Sequence, residues 1–314
     1  MRRFIPAVAI FLSFVSHAFG WGCEGHQIVA LIARAHLTTA ASAAVDGLLK
    51  SNPIDPTLRR FCQDRPGDPI ADSSTWADDA KNTEKTGSWH FIDIPLTASG
   101  PGPLGAWCPP IGERVDGKDR PGCITDAIAY ESAILRDASR PASERATALR
   151  YLIHFVGDIH QPLHDSDNND RGGNCTALSF FGGEKPANLH AIWDYRIIAR
   201  DLEDRKISQA ALASELDQRF DSRWSQWGKP KPDPDAWAWE GNAIAKSVVY
   251  GDLKPAIPIE KPTPQADCNA ERDKVAALHI SLNDTYLKQA LPVIDEQLAK
   301  AGYRLAGLLN AVFP

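Results

Sequence analysis

The stretch ERATALRYLIHFVGDIHQPLH, residues 144–164, combines a helical core pattern with a group of metal-binding residue types. From Leu149 onward, apolar residues recur at i, i+3, i+4 and i+7, which predicts a buried helix over residues 144–159. Pro162 cannot continue a helix, because it lacks the backbone N–H and its ring clashes with the preceding turn. We therefore expect this helix to end at residue 159 or 160.

Two His/Asp pairs with the same spacing suggest a metal site. His154 and Asp158 are four residues apart, so they share one face of the predicted helix. His190 and Asp194 repeat this spacing, and His164 follows the end of the first helix. A hydrogen-bonded core pair is the alternative for either pair alone, but the repetition favours metal binding. Imidazoles and carboxylates without thiolates are the ligands of zinc in hydrolytic sites.

The rest of the sequence predicts a mainly helical, all-α fold. Further helices are expected over residues 27–37, 39–49, 124–137, 189–202, 210–220, 237–250, 271–291 and 294–312. Residues 176–181 carry a weak strand signal, and residues 93–122 form a long loop rich in Gly and Pro. His36 and His279 lack acidic partners at metal spacing and are interpreted as ordinary helix residues. No repeat or flexible linker is present, which predicts a single domain over residues 21–314.

The first twenty residues have the pattern of a cleavable signal peptide. Arg2 and Arg3 precede an apolar run over residues 4–15, and the tripeptide AFG at 18–20 is typical of a cleavage site. We expect cleavage after Gly20 and a secreted or periplasmic protein without a membrane anchor. A membrane anchor is the alternative, and the shortness of the apolar run speaks against it.

Export and six cysteines favour disulfide bonds over free thiols. Cys108 and Cys123 flank a loop rich in Pro and Gly and are the first candidates for a local bridge. Residues 21–314 carry 32 Lys and Arg against 40 Asp and Glu, because the signal contains two Arg and no acid. This net charge of −8 excludes binding of duplex DNA through a broad basic face.

Six short stretches together resemble one family of enzymes. They are WGCEGH (21–26), TWADDAK (75–81), WHFID (89–93), HFVGDIHQPLH (154–164), RGGN (171–174) and NLHAIWD (188–194). In this order they resemble the zinc-dependent, single-strand-specific nucleases of the S1/P1 nuclease family. The resemblance implies a compact helical domain of the zinc phospholipase C and S1/P1 nuclease type, cross-linked by disulfides.

The resemblance also implies three zinc ions (Zn2+) per chain. One ion would bind the α-amine and carbonyl of Trp21, together with His26 and Asp158. The second would bind Asp78, His90, His154 and Asp158. The third would bind His164, His190 and Asp194.

Further residues receive catalytic or substrate-binding roles by the same resemblance. Asp78 would orient the attacking water, and Asn174 would hydrogen-bond the phosphate or the substrate. Lys81 would steady Asp78 or contact a phosphate oxygen, although the family more commonly has Arg there. Phe91 would stack on an unpaired base, which favours single strands, and Asp93 would bind the edge of that base.

Two other groups are interpreted as structural. His160 does not match a ligand position of the family, so a supporting role is expected. The cluster Trp224, Trp227, Trp237 and Trp239 is interpreted as packing, because few basic residues interleave with it.

The implied activity is hydrolysis of single-stranded RNA and DNA to 5′-phosphorylated products, together with removal of phosphate from 3′-nucleotides, by a monomer. A zinc phospholipase C is one alternative, but the spacing of Trp21 and His26 and the His/Asp composition of the last pair speak against it. A non-catalytic, disulfide-held secreted binding module is another. A family member that binds zinc without turnover is the third.

Overall fold

The protein is mainly helical, as the sequence predicts. The computed structural model describes residues 21–63, 66–112, 118–183, 185–263 and 267–314. The predicted signal peptide, residues 1–20, lies outside the described residues. Within the described segments, no helix has both the length and the apolar character that crossing a membrane requires.

The helices and strands follow one another in a largely helical chain with a small sheet. The α-helices are α1 Cys23–Ala35, α2 Thr39–Ser51, α3 Pro69–Ser73, α4 Trp76–Glu84, α5 Ile124–Arg136, α6 Ala142–Asp158, α7 Leu189–Ala191, α8 Ile197–Arg205, α9 Gln209–Phe220, α10 Trp224–Trp227, α11 Pro234–Ile244, α12 Cys268–Ala276 and α13 Asp284–Val312. Short 3-10 turns occupy Gly87–His90, Pro162–His164 and Asp221–Arg223, and π-helical turns occupy Ile192–Arg196 and Ala245–Val249. The strands are β1 Ala177–Phe180, β2 Ala187–Asn188 and β3 Ser281–Leu282.

The core forms where α13 packs against α1, α6 and α9. α5 packs along the other side of α6, so α6 is buried from residue 148 to its end. Trp227 and Trp237 are buried, and Trp224 and Trp239 are half-buried against the core. These four aromatic side chains pack within the fold, in agreement with the structural interpretation.

Two predictions about the C-terminal third are wrong. Residues 271–291 do not form one helix, because α12 ends at Ala276 and a turn with His279 at φ 50° leads into β3. His279 is therefore a turn residue rather than a helix residue. The expected break between residues 291 and 294 is also absent, because α13 runs through Pro292. Pro292 has no N–H group to donate to the carbonyl of Lys288. Lys288 is exposed, so this carbonyl can accept a hydrogen bond from water instead.

Helices α3 and α4 are additions to the predicted set. Asp68 caps α3 by accepting hydrogen bonds from the backbone N–H groups of Ile70 and Ala71, with Pro69 in the first turn. α4 is short and polar, and its apolar pattern is too brief to predict a helix. α4 matters for the site, because it carries Asp78.

A small sheet and three disulfide bonds hold the loops around these helices. β1 pairs antiparallel with β2 and parallel with β3, so the predicted strand over residues 176–181 is present. The predicted bridge between Cys108 and Cys123 is confirmed. The other bridges join Cys23 to Cys62 and Cys175 to Cys268, and cross-links of this kind stabilise a fold by restricting the unfolded chain.

Candidate metal centre

Five side chains from four elements form what we call the inner cluster. They are His26 of α1, Asp78 of α4, His90 at the end of a 3-10 turn, and His154 and Asp158 of α6. Asp158 lies at the centre: its Oδ1 is 3.2 Å from His26 Nε2, and its Oδ2 is 2.9 Å from His90 Nδ1 and 3.1 Å from His154 Nε2. Asp78 faces the same imidazoles, at 3.8 Å from His90 Nδ1 and from His154 Nε2.

Three more side chains form the outer cluster: His164, His190 and Asp194. His164 closes the 3-10 turn after α6, His190 belongs to α7, and Asp194 belongs to the π-helical turn. Asp194 Oδ1 is 3.8 Å from His164 Nε2, and its Oδ2 is 3.3 Å from His190 Nε2. The two imidazole rings are stacked, with their centroids 4.9 Å apart. Both clusters are buried.

Backbone carbonyl groups orient three of the imidazoles. In each case Nδ1 lies within hydrogen-bond distance of a carbonyl oxygen, which requires Nδ1 to carry the proton. The pairs are His154 with Ser74 O at 2.7 Å, His164 with His90 O at 2.7 Å, and His190 with Gly172 O at 2.6 Å. Nε2 of each ring then faces the cluster and can bind a metal ion once it has lost its proton, an arrangement typical of metal-binding histidines.

The atoms of both clusters fit a metal ion. Ligand atoms in each of three triads all lie within 4.8 Å of one another. The triads are His26, His154 and Asp158; Asp78, His90 and His154; and His164, His190 and Asp194. Among their buried atoms, His26 Nε2, Asp78 Oδ2, Asp158 Oδ1 and His164 Nε2 have no hydrogen-bond partner. Buried polar atoms are rarely left unpaired, so this set of nitrogen and oxygen atoms fits divalent cations such as zinc.

The two clusters differ in how they stabilise their carboxylates. Burial raises the pKa of Asp158, but the positive charge of His154 and the hydrogen bond that His154 donates hold this pKa well below its usual value. Burial raises the pKa of Asp194 well above its usual value, although the side-chain amide of Gln161 donates a hydrogen bond to it. Asp194 thus receives less compensating positive charge from its neighbours than Asp158 does.

Trp21 is fully buried, and its neighbour Gly22 is hydrogen-bonded to a residue of each cluster. The backbone N–H of Gly22 donates to the carbonyl of Asp194 at 2.8 Å, and the backbone N–H of His26 donates to the carbonyl of Gly22 at 3.2 Å. The first residues of the described chain are thereby fixed between the inner and the outer cluster.

A cavity of about 810 Å³ opens onto the centre. His90, His164 and His190 line it, so ligand atoms of both clusters face one space. The four other predicted residues also line this cavity: Lys81, Phe91, Asp93 and Asn174. Lys81 Nζ donates to Asp78 Oδ1 at 3.1 Å. Phe91 is half-buried, which leaves part of its ring accessible.

Asp93 lies in the cavity wall with an exposed side chain. Partial desolvation by the wall, and then the negative charges of Asp167 and Asp170, raise its pKa. A carboxyl group with a raised pKa can donate as well as accept a hydrogen bond, which suits binding of a nucleobase edge.

Comparison with known proteins identifies the family. The model of the family described as S1/P1 Nuclease matches residues 21–314. The chain belongs to the S1/P1 nuclease family. Nuclease S1 of Aspergillus oryzae is 30% identical over 335 aligned residues, covering 99% of this chain and 98% of the relative. Nuclease P1 of Penicillium citrinum is 29% identical, covering 93% and 97% of the two chains. Endonuclease 2 of Arabidopsis thaliana is 29% identical, covering 94% and 91%.

Membership in the S1/P1 family makes the chain a nuclease, a hydrolase of phosphodiester bonds. The family is generally zinc-dependent, which agrees with the donor atoms of the two clusters. The phospholipase C and binding-module alternatives are not favoured.

His160 lies outside both clusters of this S1/P1 nuclease. Its Nδ1 donates to Val156 O at 2.7 Å, so its Nε2 accepts a hydrogen bond from Arg304 Nη1 at 2.8 Å. Arg304 also donates to Glu240 at 2.8 Å. His160 thus ties the turn between Asp158 and His164 to α13, a connection that spacing in the sequence does not reveal.

Sequence reasoning also missed Gln161, Arg171 and Arg272. Gln161 donates to Asp194, while Arg171 and Arg272 line the cavity beside the outer cluster. Gln161 and Arg171 adjoin recognisable motifs and could have been found from their position. Arg272 is about eighty residues from the nearest candidate ligand in the sequence, and only the fold brings it to the site.

Proposed function

We propose that this S1/P1 nuclease is a zinc-dependent endonuclease that cleaves single-stranded RNA and DNA to 5′-phosphorylated products and also removes phosphate from 3′-nucleotides. The observation that carries this proposal is the convergence of the inner and outer clusters on one cavity that Phe91 also lines. The cavity thus combines cation ligands for a phosphate with an aromatic surface for a base.

We propose three zinc ions per chain. Trp21, His26 and Asp158 would hold the first, and Asp78, His90, His154 and Asp158 the second. His164, His190 and Asp194 would hold the third. Bound zinc supplies positive charge for phosphate oxygens and lowers the pKa of water.

Side chains of the cavity would position the attacking water and the substrate. Lys81 donates to Asp78 Oδ1 and thereby fixes that carboxylate, while Asp78 Oδ2 has no hydrogen-bond partner and can accept one from the attacking water. Asn174 lines the cavity, and its Nδ2 donates to the carbonyl of Arg171 at 2.9 Å. Its side-chain oxygen would accept a hydrogen bond from the substrate.

Phe91 and Asp93 would select unpaired bases. A base can stack on Phe91 only when it has left a duplex, and such stacking contributes about 1–3 kcal/mol per base. Asp93 would then bind the edge of the stacked base. The net charge of −8 over residues 21–314 agrees with recognition inside a cavity instead of along a basic face.

Removal of residues 1–20 would complete the site, in a secreted or periplasmic monomer without a membrane anchor. An α-amine has a lower pKa than a Lys side chain, so that of Trp21 would deprotonate readily to bind a metal. A chain that keeps Gly20 before Trp21 is expected to lose about one zinc ion and most of its activity. Full activity of that longer chain would contradict this maturation step.

The test of the proposed function compares cleavage of one oligonucleotide as a single strand and in a duplex. Wild-type protein should cleave the single strand faster, a chelator should abolish cleavage, and added zinc should restore it. Phe91→Ala should lower cleavage of the single strand, whereas Phe61→Ala, at an exposed aromatic residue outside the cavity, serves as the matched control. Equal cleavage of both forms, or cleavage unaffected by chelation, would contradict the proposal.

A further inference from the structure

The cavity has a basic wall beside the outer cluster. Arg171 and Arg272 line it together with His164 and His190. Both arginine side chains are exposed. Across the part of the chain that the structure describes, neither of them forms an ion pair or a side-chain hydrogen bond. In a chain of net charge −6, these two guanidinium groups place positive charge at the cavity without an acidic partner among the described residues.

Arg171 is held by an unusual backbone conformation. Its φ is 56°, in the left-handed region that is unfavourable for a residue with a side chain. The N–H of Asn174 donates to the carbonyl of Arg171 at 3.2 Å, and the side chain of Asn174 donates to it at 2.9 Å. These contacts fix the backbone from which the Arg171 side chain projects into the cavity wall.

Arg272 is positioned by cross-links between α12 and the loop around residue 170. The disulfide between Cys175 and Cys268 joins the first residue of α12 to the residue after Asn174. Within the same region, Lys274 pairs with Glu260 at 2.9 Å and with Glu271 at 3.3 Å.

The segment before α12 is attached to the same loop by asparagine side chains. Asn168 donates to the carbonyl of Pro258 at 3.0 Å and accepts from the N–H of Glu260 at 2.8 Å. Asn169 accepts from the N–H of Thr263 at 2.8 Å. The two arginines thus project from one rigidly connected wall.

We propose that Arg171 and Arg272 form a second phosphate subsite, which binds the phosphate next to the one that is cleaved. A guanidinium group donates several hydrogen bonds in a plane and keeps its charge at any physiological pH, which suits a phosphate. Both arginines line the same cavity as His164 and His190, and Arg171 precedes Gly172, whose carbonyl accepts from His190. A substrate whose scissile phosphate lies at the outer cluster would therefore extend its neighbouring phosphate along this wall. This inference rests on the proposed function and adds a preference for substrates with more than one phosphate.

The experiment compares a thymidine dinucleotide, which has one phosphate, with a trinucleotide, which has two. Wild-type kcat/KM should be higher for the trinucleotide. In Arg171→Gln and Arg272→Gln, the ratio of the two kcat/KM values should fall about two- to fivefold each, the range of an exposed charged contact. Arg136→Gln, at an exposed arginine of α5 outside the cavity, is the matched control and should retain the wild-type ratio.

A chemical change to the substrate provides an independent readout. A trinucleotide whose non-scissile link is an uncharged methylphosphonate should lose its advantage with wild-type protein. On this methylphosphonate substrate, the two arginine variants should have the same kcat/KM as wild-type protein. On a long single strand, the slope of log kcat/KM against log salt should also decrease by about 0.7 for each lost phosphate contact.

The outcomes separate this inference from the proposed function. If wild-type protein cleaves both substrates and the variants keep the wild-type ratio, the subsite is wrong and the nuclease function stands. If zinc-loaded wild-type protein cleaves neither substrate, the proposed function fails, and the subsite fails with it.

Discussion

The inner and outer clusters contain the same residue types, but their carboxylates lie on different kinds of helix. His154 and Asp158 of the inner cluster lie on the regular helix α6, and three imidazoles surround Asp158 at 2.9–3.2 Å. In the outer cluster, Asp194 lies on a π-helical turn, and the nearest imidazole atom is 3.3 Å away. Three imidazoles therefore contact Asp158, whereas Asp194 has fewer close imidazole contacts and accepts a hydrogen bond from Gln161.

The largest expected effects come from removing the carboxylate of either cluster. Asp158 contacts the imidazoles of two metal triads, so Asp158→Asn should lower the zinc content by about two ions per chain. Asp194→Asn should lower it by about one. Mutation of a residue that only hydrogen-bonds to a metal ligand costs up to about 100-fold in activity. Loss of a ligand itself should cost more, so both variants should reduce cleavage by more than about 100-fold. Elemental analysis and kinetics of the purified variants check this, and equal zinc loss in both would contradict the distinct roles.

Two glycines provide a way to disturb one cluster at a time. A Cβ at Gly157 would lie 2.7 Å from His26 Nδ1, so Gly157→Ala should displace an imidazole of the inner cluster. Gly172 has φ 59°, and a Cβ there would lie 2.5 Å from Leu163 O. Gly172→Ala should therefore move the carbonyl that orients His190 in the outer cluster.

We expect each of these variants to lose about 10- to 100-fold in activity, with zinc lost from the corresponding cluster only. Gly47→Ala is the matched control, because a Cβ at this position in α2 meets nothing within 4 Å. It should retain full activity and gain up to about 1 kcal/mol in stability. Zinc loss from both clusters in either variant would show that the two clusters are not independent.

The smallest expected effect concerns Glu240, which accepts a hydrogen bond from Arg304. Arg304 in turn contacts His160, in the turn between the two clusters. Burial raises the pKa of Glu240, but Arg304 and Lys300 lower it to about 2, from about 4.5 in the unfolded chain. Glu240 therefore adds stability above about pH 4.5, and this contribution is lost as the pH falls towards 2. Glu240→Gln should lower the free energy of unfolding by about 1–3 kcal/mol at pH 6.

The difference between wild type and Glu240→Gln should shrink as the pH falls below 4.5, which denaturant unfolding at several pH values measures. Glu296→Gln, at a more exposed partner of Lys300, is the control and should show a smaller effect. A constant difference from pH 6 to pH 3 would contradict the charge interaction.

The sequence predicted α6 and the two His/Asp pairs because both depend on local spacing along a helix. It did not predict α3 or α4, whose patterns are short, or the continuous α13, whose packing against α1 outweighs the cost of Pro292. Arg304 and Arg272 could not be found by spacing either, because tertiary packing alone brings them to His160 and to the cavity. The sequence thus predicted the candidate metal ligands, whose spacing is local. It did not predict residues such as Arg304 and Arg272, which tertiary packing brings to the site.

The most direct test of a three-zinc nuclease centre is elemental analysis of protein that starts at Trp21, with cleavage of single-stranded DNA measured on the same sample. We predict about three zinc ions per chain, and cleavage that a chelator abolishes and zinc restores. Absence of zinc from active, folded protein would contradict the account, because both His/Asp pairs would then be purely structural.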